Sequence, residues 1–243
     1  MRIIKLDATD STNAYLKNAM QTEVLDDFTV VIAKNQFQGK GQLGAEWSSE
    51  PGKNLTISVL KKINTLIASK QFLLNMVVSI AVYETLKGLQ IPNIAIKWPN
   101  DILSGNEKIC GILIENVIRA QYISSSIIGI GLNVNQKEFP GLERVTSMAL
   151  QTPKKYVIEE VLMLLLTNLK RGLEGVELNN FGKFKAAYEG LLFKKDQAAE
   201  FSDMSDHSFK GYIRGVSDEG KLTIEDEDHS IREYDLKELR MLY

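Results

Sequence analysis

With 243 residues, 44% of them hydrophobic and 25% charged, the chain has the material for one large globular domain and a small companion. A formal net charge of -2 gives no electrostatic reason to expect a nucleic-acid partner, and the one cysteine, Cys110, leaves no intramolecular disulfide to form. The longest apolar run, Val161 to Leu166, falls far short of the ~20 residues that span a bilayer, and Met1 to Asp7 lacks the apolar core of a signal peptide. A cytoplasmic protein with no membrane partner is expected.

Asp10-Ser11-Thr12 precedes Tyr15, Leu16, Ala19 and Met20 at helical spacing, which predicts a short capped helix from about Ser11. Phe28 to Ala33 and Asn54 to Leu60 are predicted as buried strands, separated by a loop rich in glycine and glutamine. Leu73, Met76, Val77, Ile80 and Ala81 mark a helix from about Ala68 to Gly88. Ile94 and Ile96 then deliver Lys97, Asn100 and Asp101 to a turn made of Ser104, Gly105 and Asn106, from which a second apolar segment leaves with Lys108 at its head. That pattern predicts a hairpin with its charges gathered at one end. Ile127 to Val134 is a further strand, and Val157, Ile158, Val161, Leu162, Leu165, Leu169 and Leu173 define a long helix after Pro153. A short helix holds Phe181, Phe184 and Tyr188. From about Leu192 short alternating segments, joined by turns at 217–220 and 225–228, predict a small antiparallel barrel, so the expected boundary lies near Gly190. The expected domains are therefore 1–190 and 191–243.

Gly39-Lys40-Gly41-Gln42-Leu43-Gly44 satisfies the dinucleotide fingerprint G-x-G-x-x-G by letter, but no helix can begin at the loop before the next strand. The loop is better explained as a flap whose glycines let backbone amides approach a ligand, with Lys40 supplying charge and Trp47 an apolar wall. In the segment from Ile128 to Asn135, alternation puts Ile128, Ile130, Leu132 and Val134 on one face and Gly129, Gly131, Asn133 and Asn135 on the other. Cys110, Ile112 and Ile114 likewise oppose Gly111, Leu113 and Glu115. Glycine weakens a strand interior, so Gly111, Gly129 and Gly131 on one face predict something lying close against the backbone. Lysines are rarely buried without an anion to face, so Lys97 and Lys108 beside such a trough suggest a carboxylate and phosphates held together.

Five motifs in register resemble the biotin-protein ligases: Ser11-Thr12-Asn13, the loop from Gln36 through Gly39-Lys40-Gly41 and Gly44 to Trp47, Lys97-Trp98-Pro99-Asn100-Asp101, Lys108 with Gly111-Ile112-Leu113 and Glu115, and Gly129 to Asn135. The resemblance implies an α+β fold: a mixed sheet flanked by helices, of the class II aminoacyl-tRNA synthetase-like or biotin-lipoate ligase kind, with a small C-terminal SH3-like barrel. It also implies an enzyme that activates biotin with ATP to biotinyl-5'-adenylate and then transfers biotin to a lysine of a biotin carboxyl carrier protein, with Mg²⁺ as cofactor.

Carried over by motif position, Ser11, Thr12, Asn13, Gln36, Gly39, Lys40, Gly41 and Gln42 belong to the biotin site, the ureido end falling to Ser11, Thr12, Gln36 and Lys40. Trp47, Gly111, Leu113 and Gly129 line the valeryl chain. Lys108 bridges the biotin carboxylate and the α-phosphate as the catalytic group, a task suited to a preorganised ammonium. Lys97, Asn100, Asp101, Gly131 and Asn133 belong to the adenylate site, Asn133 at the adenine edge and Asp101 as a Mg²⁺ ligand. The chain departs from the family's loop at Gln42, Leu43 and Ala45, which stand at commonly basic positions, and Lys40 replaces a frequent arginine and its bidentate fork. Ten residues precede Ser11, too few for the DNA-binding domain that some members carry, so no repressor function is expected.

Outside these motifs, Cys110 is expected to be a small hydrophobe on the core face, and His207 and His229 show no metal-ligand spacing. The enzymatic alternative is a lipoate-protein ligase-like acyl-adenylate transferase. The alternative of another class is a sensor that binds biotin without transferring it. The resemblance leaves a homodimer open.

Overall fold

A computed structural model of the chain describes residues 1–177 and 180–243. Among these residues the order is β1 (Ile3–Thr9), α1 (Thr12–Thr22), β2 (Val30–Gln36), β3 (Leu55–Lys62), α2 (Phe72–Gly88), β4 (Ile94–Lys97), β5 (Asp101–Ser104), β6 (Glu107–Arg119) and β7 (Tyr122–Leu132). Then follow α3 (Met148–Gln151), α4 (Ile158–Glu177), α5 (Phe181–Gly190), β8 (Ala198–Asp203), β9 (Ser208–Val216), β10 (Leu222–Asp226), β11 (Ile231–Tyr234) and β12 (Leu239–Leu242). The first seven strands form one mixed sheet in the order β1-β2-β3-β7-β6-β5-β4, parallel between β1 and β2 and antiparallel elsewhere. The last five form an antiparallel sheet in the order β11-β10-β9-β8-β12, the small SH3-like unit.

The two faces of the large sheet are covered differently, and the sequence explains why. Helix α2 is apolar nearly all round because it lies between β4, β5 and β6 on one side and α4 and α5 on the other. Helix α4 needs only a stripe, with Val161, Leu162, Leu165, Leu166, Leu169 and Leu173 buried. These helices cover the Ile57, Ile112, Ile128, Ile130 face in one continuous core. On the opposite face α1 covers one end, where Leu16, Leu25, Val31, Leu60 and Ile127 form a separate cluster. The remainder of that face is left to the cavity described below.

Several boundaries differ from the sequence expectation. The charged segment forms two successive hairpins rather than one: Lys97 faces Asp101 across β4 and β5, and Asp101 in turn faces Gly111 on β6. The turn at 98–100 breaks the first apolar run, which a pattern count spanning both turns merges. Strand β7 ends at Leu132, before Val134, and α2 starts at Phe72 after a single 3-10 turn at Ala68–Lys70. Strand β1 carried no sequence assignment; as an edge strand it alternates half-buried Ile4 and Leu6 with exposed Lys5 and Asp7. Cys110 is buried in the core, and desolvation pushes its thiol pKa well above the usual range despite the nearby Lys108 ammonium.

The small sheet is fastened to the large one at several points. Ile96 on edge strand β4 exchanges backbone hydrogen bonds with Leu191 and Phe193, both 2.8 Å. Gly220, at φ +94°, presses so closely on the Phe72 ring that a β-carbon would clash, and its carbonyl accepts from Trp98 Nε1 at 2.8 Å. Lys70 and Asp218 form an ion pair across the same junction at 2.5 Å. Trp98, at the first hairpin turn, is thereby held from behind by the C-terminal unit. Among the described residues no helix is long and apolar enough to cross a membrane.

Candidate functional site

Register builds the floor of the site. Thr56 on β3, Gly131 on β7, Gly111 on β6 and Asp101 on β5 stand side by side in one row, and Ser58, Gly129 and Leu113 in the next. Directly paired residues share a face, so these seven positions from four neighbouring strands pave one surface. Its glycines are used mainly by the protein's own side chains. A β-carbon at Gly131 would collide with the Trp47 indole, one at Gly129 would lie 2.5 Å from Asn13 Oδ1, and one at Gly111 would lie 3.2 Å from both Trp47 Cζ3 and Lys108 Cε. The close approach expected over the glycine face is therefore made by Trp47, Asn13 and the Lys108 stem, which together form the walls.

A cavity of about 340 Å³ opens over this floor. Its lining brings together Ser11, Thr12, Asn13, Gln36, Lys40, Gly41, Gln42 and Trp47 from the N-terminal side and Lys97, Asn100, Asp101 and Lys108 from the hairpins, with Gly111, Leu113, Gly129 and Gly131 beneath. Two expected residues lie outside the lining. Gly39 uses its missing side chain to pass the Trp47 carbonyl, where a β-carbon would clash, and its own carbonyl accepts the Trp47 N–H at 2.9 Å. Asn133 follows the end of β7, where its N–H donates to Ile109 O at 2.9 Å and its carboxamide to Thr146 O at 2.9 Å. The expected alternation put Asn133 on the glycine face, but the strand ends one residue too early for it to hold.

At one end of the cavity the polar groups are interlocked. Gln36 Oε1 accepts from the Thr12 N–H at 2.8 Å and from the Thr12 hydroxyl at 3.0 Å. Ser58 Oγ lies 2.7 Å from Thr12 Oγ1 and donates to Asn13 Oδ1 at 2.5 Å, while Asn13 Nδ2 donates to Glu115 Oε2 at 2.8 Å. A network in which each member has a partner fixes side-chain directions without ligand. Ser58 and Glu115 were not among the expected site residues. The alternation Thr56, Ser58, Leu60 against Ile57, Val59 carried the signal for Ser58.

At the other end lies charge. Lys108 Nζ sits 2.7 Å from Asp101 Oδ1 and 5.9 Å from the centre of the Trp47 ring. Its backbone is clamped as well, donating to Arg144 O at 2.7 Å and accepting from the Thr146 N–H at 2.9 Å. Asn100 spends its carboxamide on Ile112 O at 2.6 Å and its carbonyl on the Ile112 N–H at 3.0 Å, so it fastens the turn to β6. Tyr188 donates to Pro99 O at 3.1 Å, supporting the same turn from α5. Trp47 Nε1 is buried in the wall and has no hydrogen-bond partner among the described residues. The loop that carries Trp47 is closed by Gly41 N–H to Ala45 O at 2.7 Å, with Leu43 exposed at its tip.

The C-terminal unit completes the lining with Phe193, Ile213, Leu222, Leu239, Arg240 and Met241. No feature of the sequence pointed to these residues, because nothing local connects a distant β-sheet to the first hairpin turn. Among the described residues no group of three His, Cys, Asp or Glu stands close enough to hold a metal by itself.

The sequence profile of the biotin/lipoate A/B protein ligase family matches residues 6–133, the stretch that carries the glycine floor and both hairpins. The bifunctional ligase/repressor BirA of Bacillus spizizenii is 27% identical over 204 residues; the match takes in 82% of this chain, which spans only 62% of that longer protein. The biotin--[acetyl-CoA-carboxylase] ligase of Paracoccus denitrificans is 30% identical over 230 residues, covering 90% of this chain and 92% of that one. Among solved structures, the biotin protein ligase of Aquifex aeolicus in complex with biotin and ATP superimposes with a TM-score of 0.80 at 27% identity, covering 99% of this chain and 98% of the other. The chain belongs to the biotin/lipoate A/B protein ligase family.

Proposed function

We propose that the protein is an ATP-dependent biotin-protein ligase, which forms biotinyl-5'-AMP and pyrophosphate and then passes biotin to a lysine of a biotin carboxyl carrier domain. The observation that carries this reading is the single cavity in which an amide- and hydroxyl-lined end, a shallow trough and the Lys108–Asp101 pair follow one another. A cyclic urea asks for fixed donors and acceptors, a valeryl chain for an apolar trough, and a carboxylate meeting a phosphate for a cation. Similarity to the Paracoccus enzyme over nearly the whole of both chains supports it.

In this reading Ser11, Thr12, Gln36 and Lys40 receive the ureido ring, and Trp47, Gly111, Leu113 and Gly129 line the chain that follows. A biotin carboxylate oxygen attacks the α-phosphorus; the bond to the bridging oxygen breaks and pyrophosphate leaves. Lys108 holds the attacking carboxylate and the α-phosphate against each other and offsets charge that develops there, its backbone anchored by the Arg144 carbonyl and the Thr146 N–H. In the second step the acceptor amine attacks the acyl carbon and AMP leaves with the bonding pair. Lys97 and Gly131 belong to the nucleotide end, and Asn100 acts by fastening the turn that carries Asp101. Mg²⁺ fits as the nucleotide's counter-ion: Asp101 offers one carboxylate, phosphate oxygens would supply the rest, and the ion would neutralise phosphate charge. The same reading assigns residues 1–190 to catalysis, 191–243 to the small C-terminal domain and the protein to the cytoplasm.

The test is pyrophosphate exchange dependent on both biotin and ATP, followed by mass spectrometry of a biotin carboxyl carrier domain incubated with the protein, ATP, Mg²⁺ and biotin. Exchange and a biotin-sized mass increase on one lysine are expected. Biotin binding without exchange would leave a sensor, and exchange with lipoate alone would leave the lipoate-specific alternative.

A further inference from the structure

Glu115 alternates with Gly111 and Leu113 along β6, away from the charged end of the cavity, and no step of the reaction above uses it. Its Oε2 accepts from Asn13 Nδ2 at 2.8 Å, and its Oε1 lies 3.7 Å from the exposed Lys17 Nζ, one turn further along α1. The Leu113 carbonyl is on the same side of the Asn13 carboxamide, 3.5 Å from Nδ2. With that amide reversed, Oδ1 would face a carboxylate and a carbonyl with no proton among the three. Nδ2 is therefore held toward β6 and Oδ1 toward Ser58.

That orientation dictates where each hydroxyl proton goes. Asn13 Oδ1 only accepts, so Ser58 gives it the one proton it has, across 2.5 Å. Ser58 Oγ is also 2.7 Å from Thr12 Oγ1, and with its own proton spent it can only accept there. The Thr12 hydroxyl thus faces two protein acceptors, Ser58 Oγ and Gln36 Oε1 at 3.0 Å, and receives a proton from neither. Thr12 lines the cavity; Ser58 and Glu115 lie behind it. We infer that Glu115 is a positioning residue for ligand recognition: acting through Asn13 and Ser58, it commits the Thr12 proton to the protein, so that Thr12 can only accept a hydrogen bond from a ligand N–H. Without the carboxylate, the long contact to Leu113 is a weak hold on the amide. Ser58 is then free to donate to Thr12, and the Thr12 proton is released to a ligand acceptor. The relay selects a ring N–H over a ring oxygen at that point. That the N–H belongs to a cyclic urea rests on the ligase reading; the order of the protons does not.

Two measurements on the full chain test this. Neutron diffraction of the deuterated, ligand-free protein is expected to place the Ser58 deuteron toward Asn13 and to find none between Ser58 and Thr12 that belongs to Ser58. Calorimetry gives Kd for biotin and for its two cyclic carbamate analogues, each with one ureido N–H replaced by oxygen, in the unaltered protein, Glu115→Gln and Glu115→Leu. The preference for biotin over the poorer carbamate is expected to fall roughly 10-fold in Glu115→Leu, and to hold within about 2-fold in Glu115→Gln, which still offers Asn13 a carbonyl acceptor. A Glu115 that only braces the fold would weaken all three ligands alike, and an unchanged preference in Glu115→Leu overturns the inference. So does a Ser58 deuteron directed at Thr12, a result that stands even where Glu115→Leu fails to fold. Deuterons in the inferred order in a protein that binds no biotin would uphold the relay and defeat the ligase reading instead.

Discussion

At the end of the cavity formed by α1, β2 and β3, polar atoms are spent on one another: Gln36 on Thr12, Ser58 on Asn13, Asn13 on Glu115. At the hairpin end the principal groups are charges on long stems, with Lys108 held by one carboxylate and Lys97 and Arg144 by an aromatic ring. The first end is short-range and already in its final geometry, so a neutral ligand bound there meets donors and acceptors that need no reordering. The second is longer-range and leaves net positive charge to be completed by an anion. A ligand neutral at one end and ionic at the other suits that asymmetry.

The sharpest way to break the contrast is at Lys108. Lys108→Ala is expected to fold while adenylate formation falls by about 10²–10³-fold, the size of losing one preorganised charge-stabilising donor. Near-normal adenylate formation, measured by pyrophosphate exchange, would remove Lys108 from the chemistry. Gly131→Val comes next, because the added carbons would enter the space of the Trp47 indole. Overpacking costs about 1–3 kcal/mol of stability, and biotin affinity should fall by more than that once the wall is displaced. Calorimetry beside a thermal melt checks it; equal affinity with a lower Tm would show that Trp47 is not a pocket wall.

Ser58→Ala probes the neutral end. The hydroxyl is fully buried and joins Thr12 to Asn13, so its loss leaves Asn13 Oδ1 short of a donor and is expected to cost about 1–3 kcal/mol. KM for biotin should rise with kcat for exchange little changed; an unaltered denaturation midpoint would mean that the network is not what fixes this end.

The smallest effect is expected at the junction with the C-terminal sheet, where the Lys70 hydrogen bond holds the Asp218 carboxyl below the usual carboxylate range. A lowered folded pKa means that the ionised form is favoured by folding. The contribution is present above the ordinary aspartate pKa of about 3.9 and is lost as pH falls through the folded value. Asp218→Asn should therefore lower Tm slightly at pH 7 and leave it unchanged in acid below that range. An equal change at both pH values would show that the ion pair is not the cause. The pair is solvent-exposed, so salt should shrink the effect.

Much of this was legible in the sequence because it depends on local periodicity. The helical spacing after Ser11, the alternation through Ile128 and Gly129, and the glycines of both central strands fix which residues can share a face, whatever surrounds them. Motif spacing likewise led to the lysines and the Trp47 loop that meet in the cavity. Where a strand stops was less legible. Asn133 fell on the wrong side of the end of β7, and one hairpin became two, because termination is decided by partners such as Ile109 and Gly111 rather than by the strand itself.

The sequence alone determined the recessed glycine face, its flanking polar triplet and the two hairpin lysines, since side-chain direction along a strand alternates irrespective of context. Only the tertiary structure decided what fills the recess and what closes it. Trp47, Asn13 and the Lys108 stem fill it, while Ile213, Arg240 and Met241 line it from a second sheet. Tyr243 reaches Lys97 and Arg144 from the same distant end of the chain. Such contacts join residues far apart in sequence, and their free energy depends on packing and charge that exist only once both sheets have formed.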